Sequence, residues 1–476
     1  MNPLRQEALR VARRTFLGKT GLGLGAMALA GLGNASQGVT ATKPDLLAPR
    51  QPHFAPKAKR VIHLFMTGAP SQLDLFDNKP ELTKMEGKPL PPSVIAGQRY
   101  AFIRPDAAVL GPRFKFKKHG KSGAEISEVL PYTASIADEL CIVRSMRTDQ
   151  FNHAPAQLFF QTGFSQPGRP SIGSWAIYGL GCETQNLPAF VVLSTGAGIS
   201  GGAGLWSSGF MPSTYGGTRL RNGADPILHV SNPPGVDQLL QRDTLDMAAK
   251  LNRLREDREH DREIDARINA YEMGFRLQSS APELMDFTQE SEATLKLYGA
   301  DPKTPSFARA CLMARRMVER GVRYVTIYNE GWDAHSDVVG NLKGNCAKTD
   351  QACAALVRDL KARGLLDDTL VIWGGEFGRT PMVETNPSLG RSQGRDHHPQ
   401  AYTLWMAGGG VKAGTTYGST DDLGFHVAEN PVGVHDLQAT LLHLLGFDHE
   451  RLTYHHAGRD FRLTDVHGHL VKGLLA

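Results

Sequence analysis

The chain has 476 residues, 41% hydrophobic and 21% charged, enough for one large α/β domain or two average ones around a sizeable core. Five cysteines are too few, and odd in number, for a disulfide scaffold, while 51 glycines and 28 prolines fall short of collagenous or low-complexity composition. The net charge of +5 is largely N-terminal, since residues 1–40 carry Arg5, Arg10, Arg13, Arg14 and Lys19 against Glu7, and the remaining +1 offers no basic stripe for a nucleic acid.

In chain order, the first signal is Arg13-Arg14-Thr15-Phe16-Leu17-Gly18-Lys19, then the apolar, glycine-rich run Thr20–Leu32 and the small residues Gly33-Asn34-Ala35-Ser36. A basic start, a modest apolar run and small residues at its end make an export signal. The run is too short and glycine-rich for a good membrane span. The arginine pair before Phe16-Leu17 resembles a twin-arginine signal. That resemblance implies a signal peptide over 1–40, a single domain over 41–476 and a periplasmic or extracellular protein. Membrane contact would come only through an uncleaved leader. Replacing Arg13 and Arg14 by lysine is expected to trap the precursor in the cytoplasm. Fractionation showing normal export of R13K/R14K would remove the localisation.

Arg60–Met66 is a near-continuous apolar run that predicts a buried parallel strand. A helical stretch Ile126–Glu139 and a strand Leu140–Val143 follow, then the strand Ala189–Leu193. Residues 196–235 are rich in Gly, Ser, Pro and Asn, with Trp206, Tyr215, Arg219 and Arg221, and read as a long functional loop. Residues 236–297 are charged and helical in period, with opposite charges at i,i+4 spacing typical of a solvated face. The pattern then alternates: helix Ser306–Arg320, strand Val322–Tyr328, helix Asp350–Arg363, strand Thr369–Trp373, strand Ala401–Met406 and helix Asp436–Leu445. Such alternation predicts a parallel sheet covered by helices on both faces. Cys346 and Cys353 are placed to pair in an oxidising compartment, and Cys141 reads as a buried thiol.

Ligands on such sheets sit at the carboxyl ends of strands. There the chain places Asp333 and His335, Glu376 and Arg379, Asp396 with His397 and His398, Ser71 and Asp74, and Asn152-His153. Mixed oxygen and nitrogen donors of this kind suit zinc, manganese, iron or a calcium-class ion. His63, inside an apolar strand, reads as a core histidine.

The stretch from Gly364 through Thr369-Leu370-Val371-Ile372-Trp373 to Glu376-Phe377-Gly378 resembles the sulfatase and alkaline-phosphatase superfamily, where a strand of this type leads into an Asp-His-Gly metal pair. Val434–Gly446 is similar to that superfamily's DLxPTLLxLxG helix, and Gly408–Gly414 to its GPGVKPG turn. Asn152-His153-Ala154-Pro155-Ala156, followed by Gln161-Thr162-Gly163, looks like its nucleophile segment. Gly331-Trp332-Asp333-Ala334-His335, Glu376-Phe377-Gly378-Arg379-Thr380-Pro381 and Gly394-Arg395-Asp396-His397 resemble more closely a twin-arginine-exported bacterial branch, domain of unknown function 1501. The resemblance covers roughly residues 58–195 and 305–460. It implies an alkaline-phosphatase-like three-layer α/β sandwich with a mostly parallel central sheet and a helical insertion at about 196–300.

It also implies an exported metal-dependent hydrolase of a phosphate or sulfate ester, acting on a small molecule or a glycan and not on nucleic acid. Asp333, His335, Asp396, His397, His398 and Asp74 are the expected metal ligands. Glu376 is a ligand or general base, Arg379 a bidentate partner for the substrate anion. His153 stands at the sulfatase nucleophile position, as ligand, general acid or nucleophile. Phe377 replaces the usual histidine, and Thr67-Gly68 the usual strand-end aspartate, so a single metal or a rearranged site fits better than a two-zinc one. The alternative is a noncatalytic binding or assembly protein that keeps the fold.

Overall fold

Apolar runs bounded by glycine build the middle of the molecule as strands buried on both faces. The computed structural model describes residues 45–97, 102–104, 106–196, 199–222, 232–259 and 261–476, and Leu46–Ala476 is one compact unit. The leader expected over 1–40 lies outside the described residues. The strands that matter are β1 (Arg60–Met66), β2 (Cys141–Arg147), β3 (Phe190–Thr195), β4 (Thr218–Arg219), β5 (Tyr324–Asn329), β6 (Thr369–Gly374), β7 (Gly378–Asn386), β8 (Arg391–His398), β9 (Tyr402–Ala407), β10 (Thr415–Tyr417) and β11 (Val432–Gly433). Nine of them form one sheet in the order β10-β2-β9-β6-β1-β5-β3-β4, with β11 also on β2. β9 runs antiparallel to both neighbours, and the other pairings in this sheet are parallel. β7 and β8 form a separate antiparallel hairpin.

The main helices are α1 (His153–Thr162), α2 (Ile172–Leu180), α3 (Gln238–Glu259), α4 (Arg262–Met285), α5 (Phe307–Glu319), α6 (Val338–Ala362) and α7 (Val434–Leu444). Strand alternation sorts the core into two layers. Ile62, Leu64, Met66, Val325, Ile327 and Val371 face α5 and α6. Val61, Phe65, Tyr324, Tyr328, Leu370 and Ile372 face α2 and α7. The molecule is thus a three-layer α/β sandwich around a mostly parallel sheet, with α3 and α4 inserted between its halves. No helix among the described residues is long and apolar enough to cross a membrane.

Several local expectations are corrected. Ile126–Glu139 is not one helix: Ala124–Ser127 pairs as a strand with Phe116–His119, and Pro131, which has no backbone N–H, starts a new short helix. α6 begins at Val338, twelve residues before the predicted start, because Asp337 caps it by accepting from Gly340 N at 3.0 Å. Cys346 and Cys353 both lie buried on this helix as free thiols. Seven residues of helix separate them by about 10.5 Å along the axis, beyond the span of a disulfide.

His63 is the core histidine expected. It is buried in β1 against the rings of Phe65 and Phe160, both ring nitrogens are unpartnered, and burial pushes its pKa down to about 3. The unfolded chain therefore takes up a proton below pH 6.5 that the folded chain refuses, and stability falls as pH falls. At pH 5 the loss from His63 is expected to be about 2 kcal/mol. Urea melts of H63F should lack that part of the acid destabilisation.

Candidate metal centre

Three adjacent strands end level at the carboxyl edge: Met66 of β1 lies beside Asn329 of β5, and Phe65 beside Gly374 of β6. From these ends come Gly68, Asp333 and Glu376. Gly68 has φ +106°, and a Cβ there would lie 2.5 Å from Asp333 N, so only glycine lets the two turns touch. Trp332 is fully buried and donates from Nε1 to Asn329 Oδ1 at 2.9 Å. It pins the turn and leaves the neighbouring Asp333 side chain 43% exposed. The chain leaving β2 enters α1 with His153 as its first residue, and the β7–β8 hairpin delivers Arg379, Glu384, Arg395, Asp396 and His397.

Among the described residues, His153, Asp333, His335 and His397 each direct one donor atom to a common point, all within 4.8 Å of one another. Asp333 Oδ1 is 3.2 Å from His153 Nε2, 2.9 Å from His335 Nε2 and 3.5 Å from His397 Nε2. The two Nε2 atoms of His335 and His397 are 3.0 Å apart.

The far side of each ring decides what these nitrogens carry. His153 Nδ1 donates to Glu376 Oε1 at 2.7 Å, His335 Nδ1 to Glu384 Oε2, and His397 Nδ1 to the Phe151 carbonyl at 2.7 Å. All three partners are acceptors, so Nδ1 holds the proton in each neutral ring and Nε2 presents a lone pair. Three lone pairs and a carboxylate crowd one point, and His153 Nε2 is buried without a well-aligned hydrogen bond. A cation resolves this crowding. Imidazoles anchored through their outer nitrogen are the usual second layer of a metal site. The residues present therefore fit a metal ion.

Without a metal the charges polarise the cluster. Burial works to raise the Asp333 pKa, but its contacts with the rings of His153, His335 and His397 and the charge of Arg379 hold it well below the usual carboxylate range. Burial works to lower His153, and its contacts with Asp333 and Glu376 overcome this, lifting it to about 9. His335 is raised in the same way by Asp333 and Glu384, while burial pushes His397 down to about 3.

The remaining expected site residues stand around the cluster or away from it. Glu376 is fully buried, and its Oε1 also accepts from Gln157 Nε2 at 3.0 Å and Gly68 N at 3.1 Å. It orients His153. Arg379 is fully buried too, donating to the carbonyls of Ala69, Gly68 and Arg395 and to Asp333 Oδ1 at 2.6 Å. It orients Asp333, with four of its five N–H groups engaged and the side chain fully buried. Asp396 points the other way: Oδ2 accepts from Phe102 N at 2.7 Å and Ile103 N at 3.2 Å, and Oδ1 from His397 N at 2.8 Å. Burial raises its pKa. It lies beside Glu384 and His335, outside the four-donor set. His398 donates to the Phe425 carbonyl at 2.6 Å, is pushed down to about 4 by burial, and is not in the cluster. Asp74 is not in it either, being held by Arg395, Ser71 and Arg113 N. Phe377 packs on the rings of both His153 and His397 and walls the site with apolar surface.

Glu384 was missed in the sequence. It follows the GRTP motif on a strand that reads as a loop, and only its place in the hairpin, opposite Gly394, brings it to His335. Glu384→Gln is expected to weaken metal binding about 10- to 100-fold by loosening the His335 ring. Titration against a competing chelator measures it.

Beside the cluster lies a cavity of about 1020 Å³, walled by Thr195, Arg219, Arg221, Ser306, Glu330 and Lys348 among others. The loop over 196–235 supplies Arg219 and Arg221 to this cavity. The cavity and the cluster share one wall, for Asn345 lines the cavity and donates to the Gly331 carbonyl at 2.7 Å, two residues before Asp333.

The family described as "protein of unknown function (DUF1501)" matches residues 58–475. No curated protein matches the chain. Among solved structures it is similar to the lipoteichoic acid synthase LtaP from Listeria monocytogenes, at 9% identity over 88% of this chain and 79% of that one, with a TM-score of 0.36. It is similar to a protein in the alkaline phosphatase superfamily from Vibrio parahaemolyticus, at 11% identity over 86% and 72%, TM-score 0.36. It is also similar to the PsFucS1 sulfatase from Pseudoalteromonas sp., at 12% identity over 84% and 69%, TM-score 0.35.

Proposed function

The chain belongs to the DUF1501 family, and from that premise we propose that it is an exported hydrolase of phosphate or sulfate esters that works with one divalent metal ion. The observation that carries this reading is the convergence of three imidazole Nε2 atoms and Asp333 Oδ1, each ring fixed from behind. Three nitrogens and one oxygen suit zinc, manganese or iron better than calcium or magnesium, which prefer oxygen alone. His153, Asp333, His335 and His397 would hold the ion, which supplies a Lewis acid for the ester oxygen and activates water.

The chain's own residues account for the rest. The partly exposed Asp333 marks the open side of the centre, by which a substrate can approach. The N-terminus of α1 opens at His153, and the positive end of its dipole favours a negative group at the same place. Arg219, Arg221 and Lys348 give the neighbouring cavity a positive wall for an anionic or strongly polar remainder of the substrate. Phe377 and Trp332 keep the floor dry, which strengthens these charge interactions. Glu376, Glu384 and Arg379 hold ligands in place and touch no substrate.

Purified protein loaded with zinc or manganese is expected to hydrolyse p-nitrophenyl phosphate or p-nitrophenyl sulfate, and to lose that activity on chelation. A metal-loaded, folded protein inert toward both ester classes would instead favour the binding or assembly reading.

A further inference from the structure

Helix α3 turns its apolar side away from its own chain. At 100° per residue, Gln241, Arg242, Leu245, Ala248, Ala249, Asn252 and Glu256 share one face, and these are the half-buried or buried positions. That face rests on α4, where Arg242 meets Glu272 at 3.0 Å. Glu256 is the one residue of the helix that is buried. The opposite face carries Leu240, Met247, Leu251 and Leu254, exposed by 51%, 54%, 61% and 60%. With Thr244 they repeat at alternating spacings of four and three, the seam of a paired helix. A helix in a lone globular chain does the reverse, burying its apolar stripe.

We propose that this seam is the contact between two copies of the chain, α3 packing antiparallel on α3 about a two-fold axis. The charges select this occupant. Five basic residues (Arg242, Lys250, Arg253, Arg255, Arg258) balance five acidic ones (Asp243, Asp246, Glu256, Asp257, Glu259), so the helix has no net attraction to an anionic membrane. The balance is uneven along its length: residues 238–247 sum to −1 and residues 248–259 to +1. Antiparallel pairing sets each half against its opposite, while parallel pairing would stack like on like. Asp243, Asp246, Lys250 and Arg253 lie on one flank of the seam. A two-fold axis near Ala249 brings Asp246 toward Lys250 and Arg253 of the second copy, with Met247 on Leu251 and Leu254 on Thr244. The contact is isologous and closes as a dimer.

Sedimentation equilibrium of the full chain tests this. Wild type is expected to dimerise, and L251E/L254E to dissociate at least tenfold more readily while keeping the far-ultraviolet circular dichroism of the folded chain, because both side chains are exposed. D246K alone should weaken the dimer, and D246K/K250D/R253D should restore it. A monomer at the highest soluble concentration overturns the proposal, as does a dimer indifferent to L251E/L254E. A monomer that instead floats with vesicles of anionic lipid assigns the seam to a membrane surface.

Discussion

Asp333→Ala is expected to strip the chain of its metal ion while leaving the fold intact. Asp333 Oδ1 is the one oxygen among the four convergent donors, and its side chain is partly exposed, so truncation opens no cavity in the core. Removing it leaves three imidazoles, with Arg379 freed from its carboxylate and aimed at the same point. A buried guanidinium there repels a cation directly. Elemental analysis should find about one zinc-class ion per wild-type chain and almost none in D333A, with far-ultraviolet circular dichroism unchanged. Asp396→Ala should differ, because its oxygens serve the N–H groups of Phe102, Ile103 and His397 and it lies outside the four-donor set. D396A should keep most of the metal and lose some stability. Normal metal content in D333A, or its complete loss in D396A with Asp333 intact, would exchange the two roles and overturn the site.

How much of this was legible in the sequence depends on the period of each segment. β1, β5 and β6 are apolar runs ended by polar turns, and a two-sided buried strand has no other reading of that length. Their carboxyl ends therefore located Asp333, His335 and Glu376 on one edge. The β7–β8 hairpin was not legible, because Arg391-Ser392-Gln393-Gly394-Arg395-Asp396-His397-His398 has no apolar alternation at all. Its inner residues are charged and satisfied by partners elsewhere in the chain, Arg395 by Asp74, Arg379 by Asp333 and Glu384 by His335, which no hydrophobic pattern records. For the same reason the sequence does not separate Asp396, His398 and Arg379 from the four convergent donors: residue type gives the chemistry a side chain can do, and only the tertiary contact says which neighbour uses it. Glu384 shows the converse case, a carboxylate among apolar neighbours whose partner His335 lies 49 residues away. Helix α3 was read correctly as charged and helical. Its exposed leucines became significant only once α4 was seen to cover the opposite face.

The pair Asp74–Arg395 carries the second large effect. Neither side chain has any exposure, and Arg395 spends all five donors: Nε and Nη2 on Asp74 at 2.8 and 3.2 Å, Nη1 on the carbonyls of Leu110 and Thr380, and Nη2 also on Gly111. Asp74→Ala leaves that guanidinium in the interior with carbonyl dipoles but no counter-charge. The expected cost is about 3–5 kcal/mol, the range for a buried pair broken on one side. D74A should therefore show a urea midpoint far below wild type with an unchanged slope. The effect should also reach the metal centre. Arg395 is two residues from His397 on β8, and its carbonyl accepts from the arginine that orients Asp333. Loosening Arg395 therefore releases two ligands together, through His397 on its own strand and through Arg379 on the facing one. Metal affinity in D74A should fall alongside stability, while Asp74→Asn, which keeps the shape and two acceptor lone pairs, should recover part of both. A D74A variant that unfolds early but binds metal as tightly as wild type would show that the pair supports the hairpin alone and that the ligands are positioned independently of it.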